Sequence, residues 1–203
     1  MKYVDKSIKY YINSLAAKTP TPGGGSVAAL MGALGCGLLS MVANFTLAKK
    51  GFNGYKDRAK RAVKKSEEIR KKLIELIDKD AQAYEKLSNA LKSKQMSAPG
   101  LQAAFKSAVM PPLKVCQDVH KAARLTLDLA YVSNKSIVSD ISVAIYTLDA
   151  AFEAALVNIY ANLRYIKDKR YTLAKTQAVS SMHKDMKMIK TEVLSKIKER
   201  IFS

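Results

Sequence analysis

Asp80 stands where a helix face calls for an apolar residue. Apolar side chains recur at Ile69, Leu73 and Leu76, give way to Asp80, and resume at Leu87 and Leu91, the spacing of one face of an α-helix. Tyr84, one turn beyond, shares that face. A buried carboxylate is costly unless it is paired or neutral. Burial also raises its pKa toward neutrality, where a carboxyl can both take and give a proton. The pattern alone also fits a structural carboxylate paired with a buried lysine.

A second polar feature precedes the longest uncharged run. Thr19-Pro20-Thr21-Pro22-Gly23-Gly24-Gly25-Ser26 leads into a segment with no charge from Gly25 to Ala48, closed by Lys49 and Lys50. The prolines cannot continue a helix, and Ser26 is expected to cap the one that follows. A helix start with free N–H groups and no bulky side chains suits an anion or polar ligand lying against the backbone; a sharp turn into a buried helix accounts for the same residues. A third set lies at 139–166, where Asp140, Ala144, Thr147, Ala151, Asn158 and Asn162 share one face. Its small residues allow another backbone to approach. Asp140 and Asn158 are roughly 27 Å apart along such a helix, too far to serve one small site. Asp149 and Glu153 form a separate i,i+4 acidic pair, expected to take a Lys or Arg from a neighbouring helix.

Other chemistries lack their residues. His120 and His183 are isolated, and Cys116 with His120 supplies only two ligands of the four that hold zinc. The H-x-E and P-C-x-x-C elements of zinc deaminases are absent, as are a Ser-His-Asp set, a phosphate-binding loop and a dinucleotide fingerprint. No metal site is expected.

Six helices must position these groups. They are expected at about 4–17, 25–49, 55–93, 101–132 (bent near Pro111–Pro112), 139–166 and 171–202. The first carries Val4, Ile8, Tyr11, Ile12 and Leu15 on one side, and the last carries Val179, Met182, Met186, Ile189, Val193 and Ile197. No alternating pattern argues for strands, and no linker divides the 203 residues. The expected fold is all-α: one domain over 1–203, an antiparallel bundle of long helices around one buried, uncharged central helix. That helix is long enough to span a bilayer. Its small residues, Ser40, Asn44 and Thr46, and the lack of a second such run favour a bundle core, with no membrane as partner.

The net charge of +18 is unevenly spread: residues 49–75 and 164–200 each hold eleven bases and four acids, whereas 136–163 hold no base and three acids. No nucleic-acid motif or aromatic interleaving accompanies the lysines, so the basic surface is read as solvated or as steering an anionic small molecule, not as a nucleic-acid site. Cys36 and Cys116 lie in apolar runs, as in a reduced cytoplasmic protein, and the start Met1-Lys2-Tyr3-Val4-Asp5-Lys6 has no apolar signal core.

Threading an antiparallel bundle in chain order gathers Gly23–Ser26, Asp80, Tyr84, Asn158 and Asn162 at one end. Asn44, Lys49, Asn134, Ser139 and Asp140 gather at the other. Two such clusters complete each other in an antiparallel homodimer.

Thr19–Leu30 with Met41-Val42-Ala43-Asn44-Phe45-Thr46, Asp80-Ala81-Gln82-Ala83-Tyr84, Val138-Ser139-Asp140 and Ala155–Leu163 resembles the cyclodeaminase/cyclohydrolase family of folate enzymes. The resemblance runs in order from residue 4 to about 166. Where family members carry G-N-x-N before the Ser-Asp pair, this chain has Ser133-Asn134-Lys135-Ser136. The resemblance implies an all-helical homodimer acting on one-carbon-loaded tetrahydrofolate, with no metal and no cofactor beyond that substrate. Members either cyclise 5-formimidoyltetrahydrofolate with loss of ammonia or hydrolyse the 5,10-methenyl form. Cyclodeamination is the first expectation, hydrolysis the second, and a non-catalytic helical binding module a remote third. Asp80 and Asp140 are the candidate acid/base groups. Gly23, Gly24, Gly25, Ser26, Tyr84, Asn134, Ser139, Asn158 and Asn162 are the candidate substrate contacts, with Lys49 and Lys50 placed to meet a polyglutamate tail.

Overall fold

The structure, a computed structural model, describes residues 2–48, 55–93, 97–133 and 135–202. Lys49, Lys50 and Asn134 lie outside them. A 3₁₀ turn at Tyr3–Asp5 precedes α1 (Ile8–Ala16), α2 (Gly24–Ala48), α3 (Lys56–Lys92), α4 (Ala98–Val132), α5 (Val138–Leu163) and α6 (Lys169–Phe202). No strand occurs among the described residues.

Small residues let α2 sit at the centre, against α3, α4 and α5. A Cβ on Gly32 would fall 2.8 Å from Val119 Cγ2 and 3.2 Å from Leu73 Cδ1, and one on Gly35 would fall 2.7 Å from Leu148 Cγ and 3.4 Å from the Ala144 carbonyl oxygen. The small-residue face expected on α5 therefore receives the α2 backbone. Pairings run in opposite directions along α2 and α3: Gly25 meets Asp80, Gly32 meets Leu73, and Ser40 Oγ hydrogen-bonds with Ser66 Oγ at 2.8 Å. Gly24 meets Asn158 while Gly35 meets Leu148, so α5 is also antiparallel to α2. One continuous apolar core joins all six helices.

α6 packs on α4 and α5, burying Val179, Met186, Ile189, Val193 and Ile197. The acidic pair of α5 takes its bases from this helix, Lys190 on Asp149 and His183 on Glu153. On the α4 side, His120 and Arg124 share Asp185.

Three local expectations are corrected. The first helix does not begin at residue 4: Ser7 caps α1 by accepting from the Tyr10 N–H at 3.1 Å, and Ile8, Ile12 and Leu15 face solvent, with Ile8 79% exposed. Only Tyr11 of α1 is buried. Leu91, the last member of the α3 stripe, is exposed, while Leu87 and Ala90 beside it on the helix are buried. α2 is not covered on all sides. Leu34 and Phe45 are exposed, while Leu30, Leu38 and Met41 are half-buried. Among the described residues α2 alone is long and apolar enough to cross a membrane. α4 runs unbroken through Pro111 and Pro112, which remove the N–H groups that would bond to the Ser107 and Ala108 carbonyls.

Candidate functional site

The N-terminus of α2, the middle of α3 and the last turns of α5 enclose a cleft of about 250 Å³. Its walls are Pro20, Thr21, Gly23, Gly24, Gly25, Asp80, Tyr84, Ala108, Asn158 and Asn162. The glycines are there for close approach. An ideal Cβ on Gly25 would lie 2.1 Å from Asp80 Oδ1, and one on Gly24 would lie 3.2 Å from Asn158 Nδ2. Alanine fits at neither position without moving a polar side chain. Asp80 thus lies directly on the backbone at the start of α2, where unpaired N–H groups favour negative charge.

Burial pushes the Asp80 carboxyl up from 3.8 to about 6, partly opposed by a hydrogen bond from the Ser26 backbone N–H. Asp80 has no salt-bridge partner among the described residues, so the alternative of a buried lysine pair is not what the structure holds. Asn158 and Asn162 each donate back to their own helix, to the Ala154 and Asn158 carbonyls at 2.8 and 2.9 Å. Each keeps its side-chain oxygen for another partner. Tyr84 is 48% exposed and forms an open wall of the cleft.

Ser26 is corrected in both of its expected roles. α2 starts at Gly24 and its first bond runs from the Val27 N–H to the Gly23 carbonyl, so Ser26 is inside the first turn and does not cap it. It is fully buried and its hydroxyl hydrogen-bonds with the Tyr11 hydroxyl at 2.9 Å, so it stands behind the cleft wall. Asp140 and Ser139 are not part of this cleft. They open α5, roughly 27 Å along the axis from Asn158.

Thr21, Pro20 and Ala108 line the cleft although they are not among the candidate substrate contacts. Behind them, Thr21 Oγ1 donates to Glu85 at 3.1 Å and hydrogen-bonds with the Tyr3 hydroxyl at 3.2 Å. The T-P-T-P repeat was the available signal for Thr21. The Tyr3 and Tyr11 contacts cross between helices and had none.

Among the described residues no three His, Cys, Asp or Glu side chains are grouped to hold a metal ion.

The family model for formiminotransferase-cyclodeaminase matches residues 7–181. The chain belongs to this family. Its resemblance to a methenyltetrahydrofolate cyclohydrolase of Methylorubrum extorquens is 27% identity, covering 97% of this chain and 98% of that protein. A formimidoyltransferase-cyclodeaminase of Mus musculus is 28% identical over 97% of this chain, which spans 38% of the mouse protein. The crystal structure of a formiminotetrahydrofolate cyclodeaminase from Thermotoga maritima superposes with a TM-score of 0.91, at 33% identity and 96% coverage of both chains. The cleft of this family member therefore sits in a fold shared over nearly its whole length with a cyclodeaminase, in a chain collinear with a cyclohydrolase.

Proposed function

We propose that this chain cyclises 5-formimidoyltetrahydrofolate to 5,10-methenyltetrahydrofolate and releases ammonia. The observation that carries the reading is Asp80: an unpaired carboxyl with a pKa of about 6, set in a cleft against the start of α2 and faced by two asparagines. The folate N10 adds to the formimidoyl carbon, giving a tetrahedral carbon that bears N5, N10 and an amino group. Asp80 takes the N10 proton and returns it to the departing nitrogen, so ammonia leaves and the N5–C–N10 bridge becomes the methenyl cation. The carboxylate then faces the positive charge it helped to form. Asn158 and Asn162 orient the substrate through their free carbonyl oxygens, and Tyr84 flanks it. The chemistry calls on no metal and no cofactor beyond the folate.

A second reading is 5,10-methenyltetrahydrofolate hydrolysis, favoured by the full-length likeness to the Methylorubrum extorquens cyclohydrolase. Asp80 would then take a proton from the attacking water. Following methenyl absorbance with each substrate separates the two. Appearance of the band from the formimidoyl substrate marks cyclodeamination, accelerated loss of the band marks hydrolysis, and neither change refutes both.

The partner proposed is a second copy of this chain. The exposed stripe of α2 borders an apolar groove of about 640 Å³ that includes Leu30, Leu34, Leu38, Met41 and Val143. An antiparallel two-fold arrangement buries this groove and carries the Ser139–Asp140 end of one protomer toward the Asp80 end of the other. Lys49 and Lys50 are proposed to meet a polyglutamate tail. Burial of most of α2 in the bundle, with its remaining stripe covered in the proposed dimer, supports a protein without a membrane partner, and the two buried free cysteines suit the cytoplasm.

A further inference from the structure

α1 is mostly in solvent, yet its single buried residue reaches the back of the cleft. The Tyr11 hydroxyl meets Ser26 Oγ at 2.9 Å, and the Asp80 carboxyl lies against the same turn, 2.1 Å from where a Gly25 Cβ would stand, with the Ser26 N–H directed at it. Ser26 is therefore gripped from one side by α1 and from the other by the carboxyl at the site. Tyr11 is itself held in place: the Tyr3 ring stands edge-on to it at 6.0 Å and 89°, and the Tyr3 N–H donates to buried Asp78 at 2.6 Å. The Tyr3 hydroxyl bonds to Thr21, so the segment 3–11 braces the glycine turn at Thr21 and at Ser26, on either side of Gly23–Gly25.

We propose that Tyr11 is a positioning residue for the Asp80 chemistry, acting through Ser26 to hold the first turn of α2 against the carboxyl. The inference rests on the catalytic reading of Asp80. The bond is buried at both ends, so removing one hydroxyl leaves the other unsatisfied or admits water. Either outcome loosens the turn on which Asp80 rests, and misplacement of a reacting group by about 1 Å costs on the order of 10²-fold in rate. The titrating groups around this pair are Tyr3 from the 3₁₀ turn and Asp78 and Asp80 from α3, with Tyr84 of α3 on the cleft wall and Glu85 of α3 on Thr21. α4 offers Ala108 and α5 offers Asn158 and Asn162, none of which titrates.

The test compares Tyr11→Phe, which keeps the ring, with Ser26→Ala, which keeps the backbone N–H that Asp80 uses. Each is expected to lower kcat by about 10-fold to 10²-fold with KM nearly unchanged, and the double variant to lose no more than either single one. In parallel, carbon-13 titration of the Asp80 carboxyl, assigned by its loss in Asp80→Asn, is expected to move down from about 6 in both variants as water reaches it. Unchanged kcat and titration in a folded Tyr11→Phe protein would overturn the proposal, as would additive losses or lowered stability with full activity. If the wild-type protein turns over neither folate, the catalytic reading fails by itself. The carboxyl titration then still decides whether Tyr11 is coupled to Asp80, an unmoved value overturning that coupling.

Discussion

Replacing Asp80 with asparagine is expected to make the protein more stable and far less active. The folded state holds the Asp80 proton up to about pH 6, whereas an unperturbed aspartate loses it near 3.8. Between those values the folded chain binds more protons than the unfolded one, so stability falls as pH rises through the window and is level above it. The rise in pKa corresponds to about 3 kcal/mol of preference for the neutral form, the ceiling on what the charge costs the fold at pH 7. Asparagine has no charge to bury, and its side-chain oxygen still accepts from the Ser26 N–H. Urea unfolding at pH 3.5, about the lowest usable pH, should give similar stabilities for the two proteins. The variant's advantage should open between about pH 4 and pH 6 and stay constant to pH 8. Activity should fall by roughly 10²–10⁴, the usual contribution of a general acid or base. A variant less stable than wild type at pH 7 with its activity spared would refute the reasoning, because it would make Asp80 a structural carboxylate.

Gly25→Ala is expected to keep the helical circular dichroism signal but lose about 10²-fold in kcat, since its Cβ would sit on the Asp80 carboxyl oxygen; a normal rate would show that the carboxyl need not lie on the α2 turn. Sedimentation should find about twice the monomer mass at micromolar concentration, and Leu34→Glu with Phe45→Glu should reduce it to the monomer; an unchanged mass would exclude the α2 face as the interface. A polyglutamate tail should lower KM at low salt, and the advantage should vanish near 1 M salt, where the Debye length shrinks to about 3 Å. Lys49→Ala with Lys50→Ala should shrink the same advantage at nearly constant kcat, and equal KM values for mono- and polyglutamate substrates would remove these lysines from the site.

Asp80 was legible in the sequence because a lone charge interrupts a 3.6-residue apolar stripe, and a carboxyl cannot hide there without chemical consequence. Asn158 and Asn162 were legible through topology: antiparallel helices of known length return to the same end of a bundle. α1 shows where that logic stops. Ile8, Ile12 and Leu15 have the spacing of a core face and lie in solvent, because periodicity says which residues share a side and nothing about what stands opposite. Ser26 failed for a related reason. A serine just after a glycine run has the local chemistry of a cap, but Asp80, 54 residues later in the chain, answers the N–H of Ser26 itself.

The sequence by itself determined the helices, their order and the uncharged character of α2, since these follow from side-chain spacing and from prolines and glycines acting within a few residues. It also determined that a carboxylate, two amides and a glycine turn would meet. Tertiary structure alone decided how closely they meet. The 2.1 Å that leaves Gly25 no room for a Cβ, the rise of the Asp80 pKa to about 6 and the Tyr11–Ser26 bond at 2.9 Å depend on α1, α2 and α3 packed together. Burial and contact between distant segments exist only once those helices have come together.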